Sequence, residues 1–425
     1  MRIFKFGGAS VKDAGSVRNL AHIVKQYLDE PLIVVVSAMG KTTNLLERIC
    51  QETYKKQVLD IKGLEELRNQ HLKIAYELIP RKAEITVDTI LDELKGTMEG
   101  NWHGSYDFYY DQVVSFGEVL STRIIQAYLA EEKVACSWHA AKTLIQTDQN
   151  HRNASVQWDR TVEACETLSV PKGEIFLTQG FIGATTEGYT TTLGREGSDY
   201  SAAILAYVFN AREVVIWKDV PGMMNADPAV YKKAQKLDQL SFREAIELSY
   251  FGAKIIHPKT LQPLKKKNIP LRVKSFIQPE KEGTLIQTFT DKEISLPSFA
   301  FKSQQVLITF RTLDFSFMIE ENLSGVFAAL FSHKVKVNLI QNSAINLSIC
   351  VDDDPSKLGA LIKELRTNYR IKYNRGVRLL TLLNRNKTLV SELLEKEEIL
   401  LEQSTRDTAR YVIRTLNFKE NEHSY

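Results

Sequence analysis

Lys5-Phe6-Gly7-Gly8-Ala9-Ser10-Val11 is the stretch on which the fold turns. Ahead of it, Arg2-Ile3-Phe4 reads as a short buried strand, and behind it Asp13 to Tyr27 reads as an amphipathic helix. A strand that ends in glycines and leads into a helix makes an anion seat. Without Cβ atoms the backbone N–H groups close on phosphate oxygens, and the helix N-terminus adds partial positive charge. Lys5 brings a full charge to the same spot. The same spacing also suits a plain strand-to-helix turn, so its meaning depends on the rest of the chain.

Outward from this seat, apolar runs alternate with helix-length segments. The runs are Leu32 to Val36, Val134 to Ser137, Ile175 to Leu177, Val214 to Trp217 and Leu271 to Val273. Tyr110 to Glu131, Asp199 to Phe209 and Ser241 to Tyr250 carry helical periodicity between them. Continuous β-branched runs separated by helices predict an α/β fold with a largely parallel sheet covered on both faces. Thr53 to Met98 is charged and poor in strands, which predicts a helical insertion.

Pro279, Gly283 and Pro297 punctuate a polar stretch near Gln278 to Ser298, so a first domain is expected over 1–286 and a linker over 287–298. Beyond it the spacing predicts a βαββαβ unit over 299–376: a strand at Gln305 to Arg311, a helix at Ser324 to His333, strands at Lys336 to Gln341 and Ile345 to Val351, a helix at Pro355 to Thr367 and a strand at Tyr369 to Asn374. Residues 377–425 predict a second, shorter unit with one helix at Lys387 to Lys396. This α+β tail carries no cluster of His and Cys and no nucleophile beside a base, so binding or assembly is its expected role.

A chain of 425 residues is too long for one ordinary core and predicts two or three domains. Its 55 basic and 52 acidic residues leave a net charge of +3, which argues against nucleic acid as a partner. The 4 cysteines form no Cys-x-x-Cys pair, as expected of free thiols in a reducing cytoplasm and not of a metal site. No apolar run of about 18 residues occurs, so no membrane span is expected, and the first strand begins too early to leave room for a signal peptide.

Ser37-Ala38-Met39-Gly40-Lys41-Thr42-Thr43-Asn44 follows the second strand. Gly40-Lys41-Thr42 imitates the end of a P-loop, but Val35 stands where that pattern needs glycine. Ser37 and Thr43 still offer hydroxyls at a strand's carboxyl end, where open α/β sheets bind ligands, or else they cap the helix that follows. In Ser115-Phe116-Gly117-Glu118 a carboxylate sits in an apolar helical stretch. An unpaired one is costly there, so Glu118 needs a cation, from the protein or from a ligand's ammonium.

Thr192-Leu193-Gly194-Arg195-Glu196-Gly197-Ser198-Asp199 opens a helix. Arg195 can grip a carboxylate with two hydrogen bonds, and Asp199 can orient a lysine. Trp217-Lys218-Asp219-Val220-Pro221-Gly222 follows another strand as a rim fit for a nucleoside, with a second turn at Asn225-Ala226-Asp227-Pro228. Gly252-Ala253-Lys254-Ile255-Ile256-His257-Pro258 adds a further cation, with His257 packed against the helix that follows rather than catalytic.

In their order and spacing these segments resemble the aspartate kinases of the amino-acid kinase family, from Met1 to about Ile286. The family patterns are Lys-Phe-Gly-Gly-Thr-Ser, Ser-x-Gly-Glu, Gly-Arg-Gly-Gly-Ser-Asp, Thr-Asp-Val-x-Gly and Gly-Ala-Lys-x-x-His-Pro. The tail resembles the paired ACT domains of the same enzymes. The resemblance implies ATP- and Mg²⁺-dependent phosphorylation of the side-chain carboxylate of L-aspartate, a step toward lysine, threonine, methionine and diaminopimelate.

By the same resemblance Lys5 bridges the phosphates and Asp199 organises the centre. Arg195 holds the substrate α-carboxylate and Glu118 its ammonium, helped by Ser37, Thr43 and Ser198. Gly7, Gly8, Lys218, Asp219, Met224, Lys254 and Ile255 line the nucleotide site. Asn338 and Ser343 mark the region where effectors bind, and a homodimer through the ACT region is expected.

The chain departs from the family at several points. Ala9 replaces threonine, Glu196 a glycine and Lys218 a threonine, while Met224 stands where a tyrosine is frequent. Asn338 and Ala344 each lose an acidic group that would pair with an effector's ammonium, so inhibition by lysine is expected to be weak or absent.

Overall fold

The computed structural model describes residues 1–100, 104–251, 256–289, 296–314, 316–384, 386–406 and 408–416, with backbone only at 250, 251 and 387. The chain divides into two compact units. One comprises Met1–Met223, Lys236–Ile246 and Ile255–Glu293, and the other Met224–Gln235, Glu247–Lys254 and Ile294–Tyr425.

The first unit begins with β1 (Arg2–Phe6), α1 (Ala14–Lys25), β2 (Leu32–Val36) and α2 (Thr42–Lys56). Its helical insertion follows as α3 (Ile61–Leu78), α4 (Ala83–Gly100), α5 (Tyr106–Val114) and α6 (Phe116–Glu131). The helix expected from Tyr110 to Glu131 is thus two helices, broken at Ser115. Next come β3 (Ala135–His139), α7 (Ala141–Leu144), α8 (Trp158–Cys165), β4 (Glu174–Gln179), β5 (Ile182–Ala184), β6 (Thr190–Thr192), α9 (Gly197–Val208) and β7 (Glu213–Lys218). The elements β8 (Gln239–Ser241), α10 (Phe242–Phe251), α11 (Pro258–Lys267), β9 (Leu271–Ser275) and β10 (Thr284–Gln287) follow.

Eight strands form one sheet in the order β3-β4-β2-β1-β7-β9-β10-β8. Neighbours are parallel except β9 and β10. All five residues of β2 are fully buried, as a parallel strand covered on both faces requires. Chain order reverses around β1, with β2 on one side and β7 on the other. Ligands of open α/β sheets bind at the carboxyl ends of strands at such a switch point. Below that point Phe6 stacks on Trp217, with centroids 6.0 Å apart and planes within 2°, and Phe4 meets the same indole edge-on at 5.5 Å. Asp13 caps α1 through the Ser16 N–H at 2.7 Å.

The second unit contains β11 (Ser298–Thr312), α12 (Glu320–Ser332), β12 (Val337–Asn342), β13 (Asn346–Asp352), α13 (Pro355–Leu365), β14 (Tyr369–Leu383), α14 (Lys387–Leu394), β15 (Glu397–Ser404) and β16 (Thr408–Thr415). They form one antiparallel sheet in the order β12-β13-β11-β14-β16-β15. The expected βαββαβ order is present. However, the expected break at 376/377 falls inside a single strand, β14, and β11 likewise runs on past the expected strand. Both are 15 residues long. An irregularity between Lys302 and Gln305 divides their pairing, so 298–302 lies against 379–383 and 305–312 against 369–377.

The first half of this sheet buries Ile308, Phe310 and Ile349 under α12 and α13. On the second half, Phe299, Leu380 and Tyr411 pack with α14 and with Tyr231 and Ala234. The turn at Asn225 is part of this packing: its side chain donates to Pro297 O (3.1 Å) and accepts from Gln235 N (2.7 Å). Among the described residues no helix is long and apolar enough to cross a membrane.

Candidate active site

The carboxyl ends of β1, β2 and β7, with the start of α9, enclose a cleft of about 640 Å³ in the first unit. Beyond β1 the backbone makes one 3₁₀ turn, Gly8–Val11. Gly8 O accepts from Gly40 N at 3.0 Å, and a Cβ on Gly8 would lie 2.8 Å from Ala38 O. Only glycine lets the two loops close this tightly. Gly7 borders the Lys5 ammonium, 3.3 Å from where its own Cβ would be.

One end of the cleft is a clamp of ion pairs. Asp199, 1% exposed, sits in the first turn of α9 and receives Lys5 Nζ on Oδ1 at 2.5 Å and Lys218 Nζ on Oδ2 at 3.2 Å. Burial pushes this carboxyl up, but Lys5 and Lys218 outweigh it and hold it at about 2. Lys218 also reaches Glu196 Oε2 at 3.6 Å. Burial raises Glu196, with Lys218 opposing it. For Lys218 burial acts downward, and Asp199 and Glu196 overcome it to raise its pKa.

The same cleft holds Glu118, 3% exposed in the first turn of α6. Its Oε1 accepts from Ala38 N at 3.2 Å, while Oε2 is buried with no hydrogen-bond partner among the described residues. Of the two partners expected for Glu118, a protein cation and a ligand's ammonium, the first forms no salt bridge with it among the described residues, where a backbone N–H holds one oxygen. Burial pushes the carboxyl up to about 8, with the Ala38 N–H and then Lys5 opposing. Arg195 is exposed and lines the same cleft, and it makes no ion pair among the described residues. Ser37, Thr43 and Ser198 line it as well.

Lys5, Gly8, Ser37, Thr43, Glu118, Arg195, Ser198, Asp199 and Lys218 thus meet in one cleft, although they come from segments up to about two hundred residues apart. Asp219 follows Lys218 but is exposed and does not line it. Met224 falls in the second unit. Lys254 and Ile255 lie outside the described residues. His257 accepts from Lys259 N at 3.2 Å as the cap of α11, in keeping with a packed rather than catalytic side chain.

In the second unit Asn338 is spent internally. Its amide donates to Gln305 Oε1 (2.7 Å) and Asp352 Oδ1 (2.8 Å), and its carbonyl accepts from Lys302 Nζ (2.9 Å). Lys302 is paired with Asp352 at 2.6 Å. Ser343 closes the turn between β12 and β13 through Asn346.

Sequence reading missed a further group. Arg152 lines the cleft in a left-handed conformation (φ 65), 4.2 Å from the Tyr110 ring centroid and 3.2 Å from Glu47. Fully buried Asp111 pins its loop by accepting from Arg152 N (3.0 Å), His151 Nδ1 (2.8 Å) and Thr192 Oγ1 (2.6 Å). An aspartate inside an apolar helix was the available signal, of the same kind that marked Glu118.

Residues 1–275 match the model of the amino acid kinase family. The lysine-sensitive aspartokinase 3 of Escherichia coli (strain K12) is 31% identical over 398 residues, covering 90% of this chain and 86% of that protein. The crystal structure of E. coli aspartokinase III with aspartate and ADP (R-state) superposes with a TM-score of 0.82 at 29% identity, covering 97% of this chain and 96% of that one. The same enzyme with lysine and aspartate (T-state) gives a TM-score of 0.79 at 29% identity, covering 97% and 95%.

Proposed function

The chain belongs to the amino acid kinase family, and from that premise we infer that it transfers the γ-phosphoryl group of ATP to the side-chain carboxylate of L-aspartate, giving 4-phospho-L-aspartate. One observation carries the choice of substrate. Among the described residues, a guanidinium without an ion pair and a carboxylate oxygen without a hydrogen-bond partner line one cleft, beside a lysine–aspartate–lysine clamp. Arg195 suits an α-carboxylate and Glu118 an α-ammonium, which leaves an aspartate side chain to reach the lysines. Ser37, Thr43 and Ser198 add hydroxyls at the amino-acid end. Gly7 and Gly8 present backbone to phosphates, and Asp219 borders the nucleotide.

A carboxylate oxygen then attacks the γ-phosphorus in line as the bond to ADP breaks. The attacking group is already ionised at neutral pH, so no general base is needed and the task is positioning and charge neutralisation. Asp199 is ion-paired on both oxygens, so magnesium is expected to arrive on the nucleotide's phosphates. Lys5, Glu118, Arg195 and Asp199 in one cleft count against an amino-acid sensor that has lost catalysis. ATP, Mg²⁺ and L-aspartate with hydroxylamine should yield aspartyl hydroxamate. Product no greater than without aspartate would overturn the assignment.

We take 1–286 as the catalytic domain, and 299–376 and 377–425 as ACT-like regions through which a cytoplasmic homodimer forms. Asn338 is neutral and its hydrogen bonds are internal, and the carboxylate beside it, Asp352, is already paired with Lys302, so free lysine must compete for its acidic partner there. Half-inhibition is therefore expected only above about 1 mM lysine, given that a charged contact is worth about 1.5–3 kcal/mol. An inhibition curve with a sub-millimolar midpoint would contradict this.

A further inference from the structure

Two residues that depart from the family pattern, Glu196 for glycine and Lys218 for threonine, meet in space. Lys218 Nζ lies 3.6 Å from Glu196 Oε2 and 3.2 Å from Asp199 Oδ2, and both side chains line the cleft. We propose that Lys218 is a second catalytic cation, acting beside Lys5 on the phosphoryl group in transfer, and that Glu196 is the positioning residue that aims it. This rests on the phosphoryl-transfer reading above and deepens it.

The backbone explains the alignment. Lys5 pairs in register with Ile216 on the neighbouring strand β7. Lys218 is two residues further on, so by strand alternation both lysines project from the same face at the sheet's carboxyl edge. Asp199 bridges them, one oxygen to each. Asp199 and Glu196 approach the Lys218 ammonium as two separate carboxylates, and the Glu196 contact biases its direction.

Glu196 holds this place against its backbone preference. It adopts φ 56 and ψ 27, left-handed territory that disfavours a side chain by about 1–2 kcal/mol. It sits at the N-cap of α9 yet makes no side-chain capping bond. Its carboxylate faces Lys218 instead. Strain kept where glycine would be relaxed points to a task for the side chain. In charge, Lys5 and Lys218 balance Asp199 and Glu196 within this group. Incoming phosphate oxygens compete for both ammonium groups, and the carboxylates keep the lysines in place until then.

A double-mutant cycle tests the pair, with every rate read as a ratio to wild-type hydroxamate formation. Absence of wild-type activity would sink the phosphoryl-transfer reading itself, whereas the ratios judge only the pair. Lys218→Met should lower kcat by about 100-fold with the KM for aspartate changed less than about twofold. Lys218→Arg, which keeps the charge, should recover most of that loss. Glu196→Gly relaxes the backbone and is expected to fold. It should cost about tenfold in kcat with Lys218 present and less than about twofold in the Lys218→Met background. Equal losses from Glu196→Gly in both backgrounds would overturn the coupling. A Lys218→Met or, should that variant not fold, a Lys218→Gln enzyme with normal kcat and altered KM for ATP alone would overturn the catalytic role.

Discussion

Replacing Lys5 by alanine is expected to lower turnover by about three orders of magnitude, the scale for removing a preorganised positive charge from a phosphoryl-transfer site. Lys5 is held in place before any substrate arrives, with its ammonium 2.5 Å from a carboxylate that is itself only 1% exposed. No reorganisation is required of it during transfer. The substitution also takes one partner from a buried ion pair, which commonly destabilises. Here Lys218 still holds the second oxygen of Asp199, so the fold should survive with a lower Tm. The α-groups of aspartate are assigned to Arg195 and Glu118 rather than to Lys5, so calorimetry should find its affinity within about threefold of wild type even as kcat collapses. A Lys5→Ala enzyme with kcat within about fivefold of wild type would remove Lys5 from the mechanism.

The second large effect concerns Glu118. Burial raises its carboxyl to about 8 against the opposing Ala38 N–H on one oxygen, and the other oxygen has no hydrogen-bond partner among the described residues. A substrate ammonium needs the ionised form, so binding near neutrality must expel a proton. The KM for aspartate should therefore climb roughly tenfold for each pH unit below 8 and level off above it. Calorimetric titrations in two buffers of different ionisation enthalpy should count the released proton. Glu118→Gln should raise KM by about 100-fold, a charged hydrogen bond's worth, and flatten the acidic limb. A wild-type KM that is level from pH 6 to 8 would dissociate Glu118 from the ammonium.

The sign for stability follows from the same shift. A carboxyl raised on folding contributes fully below its unfolded value of 4.5, and that contribution is lost as pH rises toward 8. Protection by aspartate should accordingly grow over the same interval.

Most of the catalytic unit was legible in the sequence because its information is local. Lys5-Phe6-Gly7-Gly8 and Gly194-Arg195-Glu196-Gly197-Ser198-Asp199 are short motifs tied to single turns, and the five buried residues of Leu32–Val36 announce a parallel strand by composition. What resisted reading was pairing across distance. No spacing rule joins Glu196 to Lys218, or Asp111 to the loop of Arg152, since each contact depends on how remote strands close. Glu118 was flagged as a carboxylate in an apolar helix, but the backbone N–H that holds one of its oxygens comes from a remote loop and has no signature in the sequence.

In the tail, the order of elements was readable from periodicity. The continuity of β14 across 376/377 was not, because Arg375 and Gly376 resemble a turn yet continue a strand whose partner is equally long.

Those two long strands bear on how such a tail changes over generations. Because one pair of ribbons belongs to both halves of the sheet, neither half is a module that recombination can lift out whole. A breakpoint near 376 would leave a torn edge on each fragment, with Leu380 and Leu382 stripped of their β11 partners on one piece and Phe299 and Phe301 left unpaired with β14 on the other. The tail is thus expected to be kept or lost entire, and its halves to drift only together.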